Sequence, residues 1–228
     1  MKKQNIKLIT MLDNLRSKDA HELNVSRGNK KLVPNKETAF IIWNLPSIIT
    51  CPYATPHCKK YCYAKKAEIA YPNCLPSRQR NFAECIKADF VDNMTYTILS
   101  IAKGTRKKNI IVRIHESGDF FNRRYADAWL AIMNACKVDS RIHFIAYTKS
   151  FPYFDGVELP ENFSLRASVW DDTKEEHLQT IDRNGWNIYT AIEEFTENDS
   201  FDHCECKDCA TCGKCWDNSI NDIRCEIH

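Results

Sequence analysis

Residues 39–43 read A-F-I-I-W, and residues 50–64 read T-C-P-Y-A-T-P-H-C-K-K-Y-C-Y-A. The first run is continuous and apolar, which is typical of a strand buried on both faces of a parallel sheet. The second run follows the carboxyl end of that strand, and this edge of a parallel α/β sheet is where sites are built. The two runs together predict a parallel α/β fold with a site in the loop after its first strand.

This loop carries three cysteines within twelve residues, Cys51, Cys58 and Cys62, spaced C-x6-C-x3-C. Pro52 and Pro56 argue against one regular helix, so we expect a rigid loop that aims three thiolates at one point. Thiolates bind metal ions and clusters, and a shared ion offsets their mutual repulsion. The three cysteines are therefore predicted as metal ligands. Apolar clustering of the cysteines and disulfide pairing are the alternatives.

Four further strands and four helices alternate along the chain. The strands are predicted at 109–115, 142–147, 163–169 and 186–192, and the helices at 1–20, 78–103, 123–136 and 173–184. Right-handed crossovers between parallel strands would curl the five βα units into an incomplete barrel or leave them as an open sheet. The predicted fold class is α/β, a parallel (β/α) partial barrel with a cysteine-rich C-terminal extension.

Polar residues stand near the downstream end of each strand, where a cavity would be lined. Those predicted as catalytic or substrate-positioning residues are His115, Glu116, Asp119, Tyr147 and Lys149, and those predicted to bind a cofactor are Ser117, Gly118 and Arg166. Asp171 after the fourth strand and Glu193 and Glu194 after the fifth extend the same edge. Each residue alone could be a cap or a surface charge, but their coincidence at one edge favours ligand contact.

The composition changes sharply after residue 200. The predicted metal ligands of this segment are Cys204, Cys206, Cys209, Cys212 and Cys215. A C-x2-C-x2-C run favours an iron–sulfur cluster over zinc, whose cysteines more often come in two separate pairs. We predict an N-terminal helix and basic loop over 1–37, the partial barrel over 38–200 and a metal-binding tail over 201–228. Cys85 and Cys136 lie on apolar helix faces and are predicted to be structural, and Cys74 stays unassigned.

Charge and cysteine content narrow the class of protein. Twelve cysteines in 228 residues, with no apolar run long enough for a membrane span, indicate a cytoplasmic chain that uses thiols for metal rather than for disulfides. Residues 1–108 hold 20 Lys and Arg against 8 Asp and Glu, whereas residues 109–228 hold 12 against 22. The basic half could attract a phosphate-bearing partner, or the two halves could neutralise each other in one fold.

The order of the motifs resembles a known family. The 50–64 run, R-I-H-E-S-G-D-F at 113–120, A-Y-T-K-S at 146–150 and C-A-T-C-G-K-C-W at 209–216 are similar to the gene product 88-like proteins of phages and mobile elements, over roughly residues 40–216. More distantly, a three-cysteine loop after the first barrel strand resembles radical S-adenosylmethionine enzymes with auxiliary clusters. This second resemblance implies a [4Fe–4S] cluster with one open iron for S-adenosylmethionine, although the usual spacing in those enzymes is C-x3-C-x2-C.

Two functions from different classes remain open. The first is a redox enzyme with one or two [4Fe–4S] clusters, S-adenosylmethionine, a small-molecule or nucleotide substrate and an electron-donor protein. The second is a binding protein whose clusters or zinc ions staple its loops while its basic half contacts nucleic acid. Both imply no membrane contact and a cytoplasmic location, in the host cell if a phage encodes the chain. The coordination of the metal distinguishes the two functions, because a catalytic metal site keeps one position open for a ligand and a structural metal site does not.

Overall fold

The computed structural model describes residues 2–192, 201–204 and 208–226. These residues form one seven-stranded parallel sheet, curled into a half-barrel, in the order β1-β2-β3-β4-β5-β7-β6. The strands are β1 Thr38–Trp43, β2 Asn109–Ile114, β3 Ile142–Thr148, β4 Phe163–Val169, β5 Ile188–Ile192, β6 Asp202–His203 and β7 Ile223–Glu226. The predicted α/β partial barrel is confirmed, and two strands beyond the predicted five come from the cysteine-rich segment.

Eight helices and two 3₁₀ turns accompany the strands within the described residues. They are α1 Lys2–Arg16, α2 Pro56–Lys60, α3 Tyr63–Ala70, α4 Cys74–Cys85, α5 Phe90–Lys103, α6 Arg123–Cys136, α7 Glu175–Asn184 and α8 Cys209–Cys212, with 3₁₀ turns at Phe151–Tyr153 and Lys214–Trp216. None of the helices in the described part of the chain is long and apolar enough to cross a membrane.

One helical prediction needs correction. The single helix predicted over 78–103 is two helices, because the chain turns at 86–89 and leaves Ile86 60% exposed, while Phe90 enters the core. The cysteine loop is not one regular helix, as predicted, although Pro56 begins the short α2, where its missing N–H costs nothing.

The two faces of the sheet carry different layers. On the convex face, β1, β2 and β3 pack Trp43, Ile114 and Phe144 into the main core with α1, α5 and α6. The concave face is the lumen of the half-barrel, where Phe40 and Ile145 lie in a smaller apolar cluster. Alternation along each strand therefore separates a helix-covered core from a lumen that other residues can enter.

The cysteine-rich segment fills part of this lumen. β7 pairs in parallel with β5, and β6 pairs with the far side of β7. The Trp216 ring lies edge-on to Phe40, with 6.1 Å between the ring centroids. The segment predicted as a separate tail therefore shares the sheet of the barrel.

The N-terminal helix belongs to the main core as well. Leu8, Leu12 and Leu15 of α1 are buried in the same cluster as the helices of the barrel. Cys85 and Cys136, predicted from their apolar faces to be structural, are buried in that cluster, and the Trp43 indole N–H lies 3.4 Å from the Cys85 sulfur.

Candidate metal sites at the rim and in the lumen

The three cysteines of the loop after β1 lie together at the carboxyl edge of the sheet, and we call them the rim group. Cys51 is within electrostatic range of both Cys58 and Cys62. Burial raises the pKa of the Cys51 thiol to about 12 and raises that of Cys58, so neither thiol ionises at neutral pH without a positive charge beside it. Such thiols are suited to a bound metal, which supplies that charge.

Local hydrogen bonds fix the rim group. The Cys58 amide donates to the Thr55 hydroxyl at 3.2 Å, which caps the start of α2 and places Cys58 in its first turn. The Cys51 amide donates to the Ile48 carbonyl at 3.0 Å. Ile48 has φ of +65°, a strained value for a β-branched residue. The loop is therefore held in a specific conformation around its thiols.

Backbone contacts join this loop to the segment after β2. Leu45 N donates to Ser117 O at 2.9 Å, and Ser117 Oγ donates to Leu45 O at 2.8 Å. The Asn44 side-chain oxygen accepts from Glu116 N at 2.7 Å. Gly118 has φ of +82°, and a Cβ there would lie 2.6 Å from Leu45 Cβ. In the structure, Ser117 and Gly118, predicted as cofactor-binding residues, hold the cysteine loop in place.

Asp119 and Lys149 reach the rim group from β2 and β3. Asp119 is buried and accepts from Thr148 Oγ1 at 2.6 Å and from Lys149 N at 2.9 Å. The Lys149 ammonium donates to Ser168 Oγ at 2.6 Å and lies within electrostatic range of Cys51 and Cys58.

Burial dominates the ionisation of this pair. It raises the pKa of Asp119, against the hydrogen bonds that lower it. It also lowers the pKa of Lys149, against the neighbouring thiols and carboxylates that raise it. Of the predicted catalytic residues, these two are therefore brought to the cysteines.

His115 lies on the other side of the strand end. Its Nε2 is 2.9 Å from the Tyr125 hydroxyl, and its ring packs edge-on against Phe120. Burial lowers the pKa of the imidazole to about 3, so the ring is neutral. Within the described residues its buried Nδ1 has no hydrogen-bond partner. The structure thus places His115 in the helix-side core, with φ of +64°.

Glu116 belongs to a polar network at the edge. Its carboxylate accepts from the side-chain amides of Asn29 and Asn44, and the Tyr63 hydroxyl donates to its carbonyl. Tyr63 is 57% exposed, and Cys62 lies within electrostatic range of its hydroxyl. Glu116 and Tyr63 therefore flank the rim group and join α3 to the segment after β2.

Tyr147 faces the lumen, where a second cysteine group lies. Its hydroxyl lies beside the Cys215 thiol, and its ring stacks on the Arg113 guanidinium with 3.6 Å between the Arg113 Cζ and the ring centroid. Cys209 is within electrostatic range of Cys204, Cys212 and Cys215. Cys206, Glu193 and Glu194 lie outside the described residues.

Arg166, predicted to bind a cofactor, instead holds the segment that fills the lumen. Its side chain is fully buried and donates five hydrogen bonds of 2.6–3.2 Å to backbone carbonyls. The acceptors are Lys214, Cys215, Asp217, Ile220 and Asn221. No donor position is left for a cofactor, because these five bonds use the whole guanidinium.

Two groups of residues were not predicted from the sequence. His57, Asp171 and Asp172 bring one possible ligand atom each within 4.8 Å of one another, beside the stacked rings of Tyr61 and Trp170. Acidic residues after β4 and a histidine in the cysteine loop were the available signal for this group. The second is Cys225 of β7, which lies beside Tyr189 and within electrostatic range of Cys204. Cys225 lies ten residues after the C-x2-C run, and this spacing does not match a metal-binding motif, so the sequence did not predict it as a ligand.

The chain is similar to proteins encoded by phages. The family model for gene product 88 matches residues 23–218. The chain belongs to the gene product 88 family. The gene 88 protein of mycobacteriophage D29 is 30% identical over 193 residues, which cover 73% of this chain and 78% of that protein. The gene 88 protein of mycobacteriophage L5 is 31% identical over 105 residues, covering 44% and 43%.

Membership of the gene product 88 family confirms the first predicted resemblance. These matches give no support to the more distant resemblance to radical S-adenosylmethionine enzymes. No solved structure matches the chain. The function of this gene product 88 family member must therefore be argued from its own residues.

Proposed function

We propose that the protein is an iron–sulfur redox enzyme whose rim group holds a [4Fe–4S] cluster. The observation that carries the proposal is the meeting of Cys51, Cys58 and Cys62 at the carboxyl edge of a parallel half-barrel, beside the buried Lys149 and Asp119. Three partly buried thiols grouped in one loop are best explained as ligands, because a shared metal offsets the repulsion between their thiolates.

The sulfurs of the rim group are not placed as a single zinc ion would hold them. Among the described residues, no three cysteines bring their sulfurs within 4.8 Å of one another. A tetrahedral zinc ion with bonds of about 2.3 Å would hold its sulfurs about 3.8 Å apart. A [4Fe–4S] cluster binds each cysteine through a different iron and spaces them more widely. Zinc, the alternative metal, fits this arrangement less well.

Cys51, Cys58 and Cys62 would hold such a cluster through three ligands. The cluster would supply an electron and an open position for S-adenosylmethionine or a substrate. We propose that Lys149 binds a carboxylate or phosphate there, since its ammonium faces the rim thiols. Trp170 lies 5.9 Å from the Lys149 ammonium and stacks on Tyr61, so the two rings offer a surface for a flat base. A nucleotide or other small molecule and an electron-donor protein are the corresponding partners.

Metal analysis tests the cluster. Anaerobically purified and reconstituted protein should contain iron and sulfide, and Cys58→Ala should lose the iron of the rim group because a ligand is removed. The control is Cys74→Ala, a partly exposed cysteine at the start of α4, which should keep the full content. Colourless protein with stoichiometric zinc, and no iron after reconstitution, would overturn the proposal.

Calorimetric titration of the reconstituted protein tests the cofactor. S-adenosylmethionine should bind, and Lys149→Ala should weaken binding by about tenfold or more, because a charge-assisted contact is lost. Asp119→Ala should weaken it as well, because Asp119 holds the Lys149 backbone at 2.9 Å. Both variants should retain their iron, and Lys65→Ala on the exposed side of α3 is the control. Absence of heat with the unaltered protein would exclude S-adenosylmethionine.

A further inference from the structure

Cys204 and Cys225 stand side by side at the last two strands of the sheet. β6 and β7 pair in parallel with His203 opposite Arg224, so the next residue of each strand faces its neighbour. Cys204 N donates to Arg224 O at 2.6 Å, which continues the pairing by one residue. Neighbouring residues of paired strands point to the same face, so the two thiols lie together.

Two tyrosines connect this pair to the segment that fills the lumen. Tyr189 and Cys225 share the lumenal face, because Ala191, two residues after Tyr189, is the register partner of Cys225. The Tyr189 hydroxyl lies beside Cys225, and the Tyr147 hydroxyl lies beside Cys215. The centroids of the two tyrosine rings are 4.3 Å apart, so Cys215 and Cys225 lie in the same part of the lumen.

Cys209 and Cys212 have different surroundings. Cys209 packs with the lumenal apolar cluster and is within electrostatic range of Cys204, Cys212 and Cys215. Cys212, one turn of α8 later, lines an open cavity of about 500 Å³ together with His143 and Glu161. Although cysteines occur at every third position here, Cys209 and Cys215 therefore face the lumenal cluster and Cys212 faces the open cavity.

Arg113 supplies an independent observation. Its side chain is 91% buried, and its Nη1 has no hydrogen-bond partner among the described residues. Cys209 and Cys215 lie within electrostatic range of this guanidinium. Arg166 on the same lumenal face has five backbone acceptors. A buried cation without such acceptors is costly unless negative charge lies beside it, and thiolates holding a metal cluster carry that charge.

We propose that Cys204, Cys209, Cys215 and Cys225 hold a second iron–sulfur cluster in the lumen and that Cys212 is not a ligand. This inference rests on the proposed function, namely that the chain binds iron–sulfur clusters. Four protein ligands close the coordination of this cluster, unlike that of the rim group, so it transfers electrons or stabilises the fold and leaves substrate binding to the rim. Cys225 is the ligand that brings β7 into the site.

Alkylation of the unaltered protein tests the ligand set without any risk of misfolding. Reconstituted and metal-free samples are treated anaerobically with iodoacetamide, and the labelled cysteines are identified by mass spectrometry. Cys204, Cys209, Cys215 and Cys225 should react at least about tenfold more slowly in the reconstituted sample, and Cys212 at an unchanged rate. Equal labelling of Cys225 in both samples, or protection of Cys212, would overturn the inference.

Substitution in a rim-emptied chain gives the second test. In a chain with Cys51→Ala, Cys58→Ala and Cys62→Ala, Cys225→Ser should abolish the remaining iron and Cys212→Ser should retain it. Retained iron in Cys225→Ser would contradict the proposal. If the unaltered chain takes up no iron, the proposed function fails. The ligand set is then tested by titration with Co²⁺, whose thiolate absorption should be lost in Cys225→Ser and kept in Cys212→Ser.

Discussion

Gly118 and Gly156 share a left-handed backbone, with φ of +82° and +68°, but differ in the space around them. A Cβ at Gly118 would meet Leu45 Cβ and Thr50 Oγ1 at 2.6 Å, whereas a Cβ at Gly156 would meet nothing within 4 Å. Gly156→Ala should cost roughly 1 kcal/mol of unfolding free energy, from backbone conformation alone. Gly118→Ala should cost about 3 kcal/mol, because steric overlap is added.

Urea denaturation of both variants measures this difference. We also expect Gly118→Ala to lose iron from the rim group, because the cysteine loop is displaced, and Gly156→Ala to keep it. Equal stabilities for the two variants would show that the loop after β1 can move away from Gly118 at little cost.

His115 makes stability depend on pH. The unfolded imidazole, with a pKa of about 6.5, gains a proton between pH 7 and pH 5, whereas the folded ring, with a pKa of about 3, does not. Protonation therefore favours unfolding, and stability falls as the pH is lowered through this window. The loss attributable to His115 is about 2 kcal/mol between pH 7 and pH 5.

Denaturation of His115→Asn at the two pH values checks this sign. Asparagine tolerates the left-handed backbone, so the variant removes the titrating ring with little backbone strain. Its stability should fall less between pH 7 and pH 5 than that of the unaltered protein. A parallel fall in both proteins would contradict the assignment.

At the scale of elements, apolar runs predicted most of the strands and helices. Arg123–Cys136 was predicted with its observed bounds, since its apolar residues recur at three and four and Asn122 caps it through Tyr125 N at 2.8 Å. The break between α4 and α5 was missed, because the helical period continues across the turn. β6 and β7 were missed, because strands of two and four residues with charged neighbours have no apolar pattern.

The candidate site was predictable where its residues share one loop or directly follow the ends of parallel strands. The rim cysteines share one loop, and Asp119 and Lys149 follow strand ends, so topology alone placed them at one edge. Cys225 and Arg113 lie far apart in sequence and contribute through strand register and alternation. Arg166 lies on the lumenal face of β4, where a ligand-binding residue would also lie. Its five bonds to backbone carbonyls show that it holds the cysteine-rich segment instead.

On the scale of the whole molecule, Arg166 fastens the cysteine-rich segment to the sheet. Arg166→Met should lower the unfolding free energy by about 3 kcal/mol, since buried carbonyls lose their donors. Limited proteolysis should then cut residues 208–221 faster than in the unaltered protein. Arg183→Met, which removes an exposed pair with Asp155, should change stability by less than about 1 kcal/mol. Unchanged proteolysis of Arg166→Met would show that other contacts suffice to hold the segment.

The strand order carries a consequence for how the lumen is closed during folding. β6 precedes β7 in the chain but lies outside it, so β6 has no neighbour in the sheet until β7 has inserted beside β5. The first five strands can pair before that insertion, while the cysteine-rich segment does not yet cover the concave face. The four residues of β7, 223–226, therefore determine the size of the sheet. Without them the sheet has five strands, and with them β6 can also pair, which makes seven.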